Sequence, residues 1–242
     1  MPLTSINPAT GKTLHSYPEM SVRETDDILQ RMDQAFAKWR RVPMGFRATS
    51  IKALGEVLRK QAESFARLMA QEMGKPIAQG RSEIEKCAWV CDYYAQEAAA
   101  FLAPINIPTD AAKSFVTFEP LGIVLAVMPW NFPFWQVFRA AVPALMAGNA
   151  VVLKHASNVS GCALAIKKSV QQAGLPEGLF RTVLVGSDRV AGLIEHPLVK
   201  AVTLTGSTGA GKAVAAKAGA MLKKTVLELG GSDPYLDRKS VV

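Results

Sequence analysis

Cysteine is scarce: Cys87, Cys91 and Cys162 are all there is in 242 residues. Three thiols make no disulfide framework. Cys87 and Cys91 stand four apart and would share one face of a helix, but a zinc site needs two further ligands. His15, His155 and His196 are scattered without metal-ligand spacing. Buried, reduced thiols in a cytoplasmic protein account for the pattern, and no metal site is expected. The N-terminal Met1–Lys12 lacks the basic-then-apolar order of a signal peptide. Pro120–Phe138 carries no charge, but Pro129, Asn131, Pro133 and Gln136 interrupt it, so it reads as strand, loop and buried helix and not as a membrane span. The G-x-G-x-x-G dinucleotide fingerprint is also missing, as are internal repeats and low-complexity stretches.

What is present is a core-forming chain, with 49% apolar and 20% charged residues, which excludes wholesale disorder. The net charge of +8 is spread along the chain and is not interleaved with aromatics, so no nucleic-acid partner is expected. The first hundred residues read as helical. Ser21 and Glu24 have capping-box spacing ahead of Ile28, Met32, Phe36 and Trp39. A second helix follows Pro43, with Ile51, Leu54, Leu58, Phe65, Leu68 and Met69 on one side, and stops at Gly74. A third runs from Ile77 to Leu102.

After Pro104 the texture changes. Ser114–Glu119 alternates like a strand. Apolar runs follow at Ile123–Val127, Ala150–Leu153, Thr182–Val185, Ala201–Thr205 and Thr225–Leu229, separated by helical stretches. Strands alternating with helices predict an α/β fold, with a parallel sheet covered on both faces. Ligands of such sheets bind beyond the carboxyl ends of the strands.

Four loops at those ends carry candidate chemistry. In Pro129-Trp130-Asn131-Phe132-Pro133, two prolines fix the backbone around an amide that is able to donate to an oxyanion; the same loop is equally readable as a rigid turn over the core. Lys154, in Lys154-His155-Ala156-Ser157, ends a strand and is placed to meet a ribose or phosphate, although strand-end lysines are common. Gly206-Ser207-Thr208-Gly209-Ala210-Gly211-Lys212 nearly matches a phosphate-wrapping P-loop, but Ala213 stands where the Mg²⁺-binding hydroxyl belongs. Glu228, before Leu229, Gly230 and Gly231, puts a carboxylate at the end of the last strand, either as a base or as a backbone cap.

Taken together, these loops resemble the aldehyde dehydrogenase superfamily, and within it the succinate-semialdehyde dehydrogenases. The resemblance spans about Ile6 to Leu236. It rests on Ile6-Asn7-Pro8-Ala9-Thr10-Gly11, Glu119-Pro120-Leu121-Gly122, Pro129–Pro133, Lys154, Thr205-Gly206-Ser207 and Leu227-Glu228-Leu229-Gly230-Gly231, in that order. It implies a modified Rossmann-type sheet at 121–236, an N-terminal helical region at 20–102 and part of the oligomerisation strands at about 104–119.

It also implies roles. Asn131 would donate to the oxyanion and Glu228 would activate water. Pro129, Trp130, Lys154, Ser157, Gly206, Ser207 and Leu229 would line the site of NAD or NADP. Ser157 stands where NAD-preferring members often carry Glu, which leaves room for a 2′-phosphate. Arg139 matches an arginine that binds the distal carboxylate of a semialdehyde.

In the family a cysteine thiolate attacks the aldehyde, and that cysteine lies a few tens of residues beyond the Glu-Leu-Gly-Gly motif. The chain reaches Val242 first. It is therefore expected to be a C-terminally truncated piece of a homo-oligomeric enzyme, lacking the catalytic domain and inactive alone. Residues 237–242 are what a common sequencing adapter encodes in one frame, and are expected to be a non-native tail. The alternatives are a P-loop-like nucleotide-binding module or ATPase centred on Gly206–Lys212, and a non-catalytic interaction protein.

Overall fold

The computed structural model describes residues 2–234. The chain opens with a hairpin, β1 (Leu3–Ile6) against β2 (Thr13–Tyr17), where the helical reading of the first hundred residues had no strand. Four helices follow: α1 (Val22–Trp39), α2 (Met44–Lys60), α3 (Ala62–Met73) and α4 (Ile77–Phe101). The capping box at the start of α1 is formed, with Ser21 Oγ accepting from Glu24 N and the Glu24 carboxylate accepting from Ser21 N. The single helix expected after Pro43 is two, because the chain bends at Gln61. Its apolar stripe runs on through the bend, which is why periodicity does not reveal the break. Gly74 ends α3 with φ of 75°, the left-handed conformation that favours glycine.

A two-residue ribbon comes next, β3 (Ile105–Asn106) and β4 (Phe115–Val116), so only the centre of Ser114–Glu119 is strand. The remainder alternates strictly: β5 (Ile123–Met128), α5 (Trp135–Met146), β6 (Ala150–His155), α6 (Ser160–Gln172), β7 (Phe180–Thr182), α7 (Val190–Glu195), β8 (Val199–Thr205), α8 (Thr208–Ala220) and β9 (Lys224–Glu228). The strand placed at Thr182–Val185 starts two residues earlier and ends at Thr182. Thr182–Val185 is buried whether or not it pairs, so apolarity alone misplaces the strand.

The sheet is wholly parallel, in the order β7-β6-β5-β8-β9. The chain winds outward from β5 to β7 and then reverses to β8 and β9. Right-handed crossovers therefore place α5 and α6 on one face and α7 and α8 on the other. The first face is covered by α2, α3 and α4 packing on α5 and α6. β5 and β8, side by side at the reversal, make a topological switch point, where a ligand crevice opens. Coverage stops short at the edge: most of β9 is exposed. The expected non-native tail, 237–242, lies outside the described residues.

The approach to β5 is set by one amide. Asn149 Oδ1 accepts from Leu121 N at 2.7 Å and from Gly122 N at 3.1 Å. Gly122 has φ of 138°, and a Cβ there would meet the Lys200 side chain at 2.7 Å, so glycine is required for the strand to start.

Candidate functional site

The site is built at the carboxyl ends of β5, β6, β8 and β9. Lys154 is the fifth residue of β6 and pairs in register with Val127 of β5. It is only 6% exposed, although strand-end lysines usually reach water. Burial pulls its ammonium below the usual lysine range, partly offset by the charges of Asp188 and Glu19. Among the described residues no hydrogen bond engages Nζ. The side chain lines a cleft of about 270 Å³ at the switch point, with Val127, Leu204, Ser187, Ala210 and Val214 around it. A largely buried lysine whose ammonium has no hydrogen-bond partner among the described residues and faces a cleft fits a ligand rich in hydroxyl or phosphate oxygens. Ser157 follows within the same turn and is half-buried.

Only Gly206 and Ser207 separate β8 from α8. Ser207 is the N-cap, its hydroxyl accepting from Ala210 N at 3.3 Å. Gly211 and Lys212 therefore lie a turn inside the helix. Gly211 is buried because the Leu229 side chain lies on it, where a Cβ would overlap. A P-loop keeps its Gly-Lys at the mouth of a phosphate-wrapping loop. Here the helix begins too early for that, and the glycine serves packing. The remaining Gly206–Ser207 turn, at the positive end of the helix dipole, suits a single pyrophosphate approach.

The Pro129–Pro133 loop leaves β5. Trp130 is 51% exposed, while Pro129 is half-buried and Asn131 is exposed. Asn131 Oδ1 accepts from Phe132 N at 3.1 Å. This orients the amide with Nδ2 unengaged among the described residues, which is the polarity an oxyanion donor needs. His155 supports the loop from β6. Its Nδ1 accepts from Ala156 N at 2.9 Å, so Nε2 carries the hydrogen and donates to the Pro133 carbonyl at 2.8 Å. Burial pushes this imidazole down to about 4, so it is neutral.

Arg139 and Glu228 share a second cleft of about 370 Å³ beside α5, with Val124, Pro143 and Val226 among its walls. Arg139 Nη1 stands 3.4 Å from Glu228 Oε1, and Nη2 donates to Thr205 Oγ1 at 3.1 Å. Gly206 N donates to the Glu228 carbonyl at 3.0 Å, joining the ends of β8 and β9. The structure thus brings Arg139, Glu228 and Gly206 together. Lys154 sits across the sheet from them, and among the described residues no hydrogen bond or ion pair joins Asn131 to either group. Sequence reasoning missed Glu83, Lys75, Glu72 and the supporting role of His155. All four are buried polar groups whose partners are set by tertiary approach and not by local sequence pattern.

The three thiols are unsuited to nucleophilic work. Cys87, Cys91 and Cys162 are buried, and desolvation raises each above the usual range, most for Cys87 and Cys162. Among the described residues no group of three metal-ligating side chains forms, and no helix is long and apolar enough to cross a membrane.

A doubly wound parallel sheet, with a ligand crevice at its switch point and a helix N-terminus facing that crevice, defines a class of α/β protein that binds ligands beyond the carboxyl ends of its strands. The chain belongs to the aldehyde dehydrogenase family, whose model matches residues 2–236. It is 48% identical over 236 residues to a probable NADP⁺-dependent succinate-semialdehyde dehydrogenase of Synechocystis, covering 98% of this chain and 52% of the relative. It is 44% identical to the NAD(P)⁺-dependent succinate semialdehyde dehydrogenase Sad of Escherichia coli, covering 96% and 50% respectively. The crystal structure of succinic semialdehyde dehydrogenase from Streptococcus pyogenes, in complex with NADP⁺, superposes with a TM-score of 0.92 at 34% identity; the match covers 96% of this chain and 51% of that one. The chain therefore spans about half the length of the relatives it matches.

Proposed function

We propose that these residues form the dinucleotide-binding and oxyanion-stabilising part of an NAD(P)⁺-dependent aldehyde dehydrogenase acting on succinic semialdehyde or a close analogue. The observation that carries this reading is Lys154, a largely buried lysine whose ammonium has no hydrogen-bond partner among the described residues and faces the switch-point cleft. In this reading Lys154 donates to the adenosine ribose, with Ser157 leaving room for a 2′-phosphate. Gly206 and Ser207 approach the pyrophosphate. Pro129, Trp130 and Leu229 line the rest of the cradle. When bound, the dinucleotide supplies the hydride acceptor.

Asn131 Nδ2 donates to the oxygen that gains charge as the aldehyde carbon becomes tetrahedral. Glu228 takes a proton from water in the hydrolytic step. Arg139 orients the substrate through its distal carboxylate. The names of the relatives, among them the NADP⁺ enzyme of Synechocystis, support this substrate and cofactor class.

The family's chemistry also needs a thiolate, and the three buried thiols supply none, so this chain alone does not turn over aldehyde. The exposed apolar side chains of β3 and β4, Ile105, Phe115 and Val116, suit a homo-oligomeric assembly of the whole enzyme in the cytoplasm. Calorimetric titration of this chain tests the reading. Saturable NADP⁺ binding is expected, with no heat from Mg-ATP; binding of Mg-ATP in preference to NADP⁺ overturns it.

A further inference from the structure

The loop that holds Asn131 is gripped from beneath by a buried ion pair to which neither the proposed chemistry nor the sequence motifs give a role. Glu83, in the middle of α4, is 4% exposed. Its Oε1 accepts from Phe134 N at 2.8 Å and from Trp135 N at 2.9 Å, the first free amides of α5. Its Oε2 pairs with Lys75 Nζ, itself 6% exposed and placed at the α3–α4 turn. The same ammonium lies 3.7 Å from the centre of the Phe132 ring, over its face.

Every residue from 131 to 135 is thereby held. Asn131 is tied to Phe132 N, the Phe132 ring to Lys75, the Pro133 carbonyl to His155, and the Phe134 and Trp135 amides to Glu83. α5 has no side-chain cap of its own at Phe134, so Glu83 replaces one from 51 residues away. A carboxylate at a helix N-terminus is favoured by the dipole, and here it is desolvated, which strengthens the grip.

We propose that Glu83 and Lys75 are positioning residues for the Asn131 amide: together they fix where the oxyanion donor points, without touching substrate or dinucleotide. This rests on the reading of Asn131 given above, but the geometry it asserts is measurable without that reading.

The test uses this chain, labelled with ¹⁵N. Wild type is expected to give one sharp pair of Asn131 side-chain NH₂ resonances and slow exchange at the Phe134 and Trp135 amides. The double variant Lys75→Met/Glu83→Leu removes acceptor and charge together, leaving no unpaired buried ion. In it those two amides are expected to exchange at least tenfold faster and the Asn131 pair to broaden or split, while Ile84 and Cys87 in α4 exchange as before. Unchanged exchange and an unchanged Asn131 pair in a folded variant overturn the proposal. So does acceleration spread evenly over α4 and α5, which marks a purely structural role. Should the double variant fail to fold, Glu83→Gln keeps one acceptor oxygen and loses the charge; partial loosening confined to 131–135 is then expected, and none at all counts against the proposal. Titrating NADP⁺ into the same samples separates the two readings, since failure of wild type to bind overturns the proposed function and leaves the loop result standing.

Discussion

Arg139 and Glu228 face each other across 3.4 Å, the guanidinium of α5 against the carboxylate that ends β9. Both are partly open to solvent, so the pair contributes little to stability, roughly 0–1 kcal/mol. A weak pair is easily exchanged. An incoming substrate carboxylate would replace Glu228 as the partner of Arg139, releasing Glu228 to accept a proton. One arrangement thus serves the two roles proposed for these residues.

Arg139→Ala is accordingly expected to separate charged from uncharged aldehydes. A chimera joining residues 1–236 to the second half of the Synechocystis relative allows the measurement. KM for succinic semialdehyde should rise about 10- to 100-fold, as for loss of a charge-assisted hydrogen bond pair, with little change for butyraldehyde. An equal rise for both aldehydes rules out the assigned role.

Ser157→Glu puts a carboxylate in the turn after Lys154. Repulsion from a 2′-phosphate should weaken NADP⁺ binding by about tenfold or more while NAD⁺ holds or tightens. Calorimetry on this chain with both dinucleotides reads the outcome directly, and an unaltered ratio of the two affinities refutes it.

Lys154→Met trades function for stability. The wild-type ammonium is held below its ordinary range by burial, an unfavourable placement that an apolar side chain relieves. The melting temperature should rise, on the order of a few degrees, as NADP⁺ affinity falls. A variant that melts lower would show that the ammonium stabilises the fold instead.

His155 predicts a pH dependence. Its folded value is pushed down to about 4 from 6.5, so between those limits the unfolded chain binds the proton and the folded chain does not. Its contribution is therefore fully present above pH 6.5 and is lost as the pH falls towards 4, amounting to ~3 kcal/mol at most. Urea midpoints taken from pH 7 to pH 4.5 should fall more steeply for wild type than for His155→Gln; parallel slopes would contradict a neutral buried imidazole.

Thiol reactivity tests whether any of the three cysteines can act as a nucleophile. Cys87, Cys91 and Cys162 should resist Ellman's reagent for hours in the folded chain and react at once in guanidinium. Rapid labelling of any one of them in the native state would reopen the question of a catalytic sulfur.

The sheet was legible because buried parallel strands are plain apolar runs, and the site loops because each follows such a run. What stayed hidden has physical causes. β2, Thr13–Tyr17, is polar and largely exposed, so nothing in its pattern separates it from a loop. The bend at Gln61 leaves the apolar face continuous. Lys154 reads as a strand-end cation, and only the cleft walls that α7 and α8 raise beside it, with Val190, Ile194, Ala210 and Val214, show that it is buried. Glu83 looks like any solvated glutamate of an amphipathic helix, because its three partners are set by tertiary approach and not by helical spacing. Gly206–Lys212 misleads in the other direction: its letters suggest a triphosphate loop, and only the onset of α8 at Thr208 shows otherwise.

The buried carboxylate of Glu83 has a counterpart one helix earlier. Glu72 of α3 accepts from Gly161 N and Cys162 N, the opening amides of α6, and from Ser5 Oγ of β1. Two acids of the N-terminal helices thus finish the two sheet helices on their side, and both of those helices begin directly below a ligand-facing turn. The fold is therefore not modular in the way its alternating pattern suggests. A sheet half excised at Pro104 would start α5 and α6 on bare amides, and the turns above them would lose their footing.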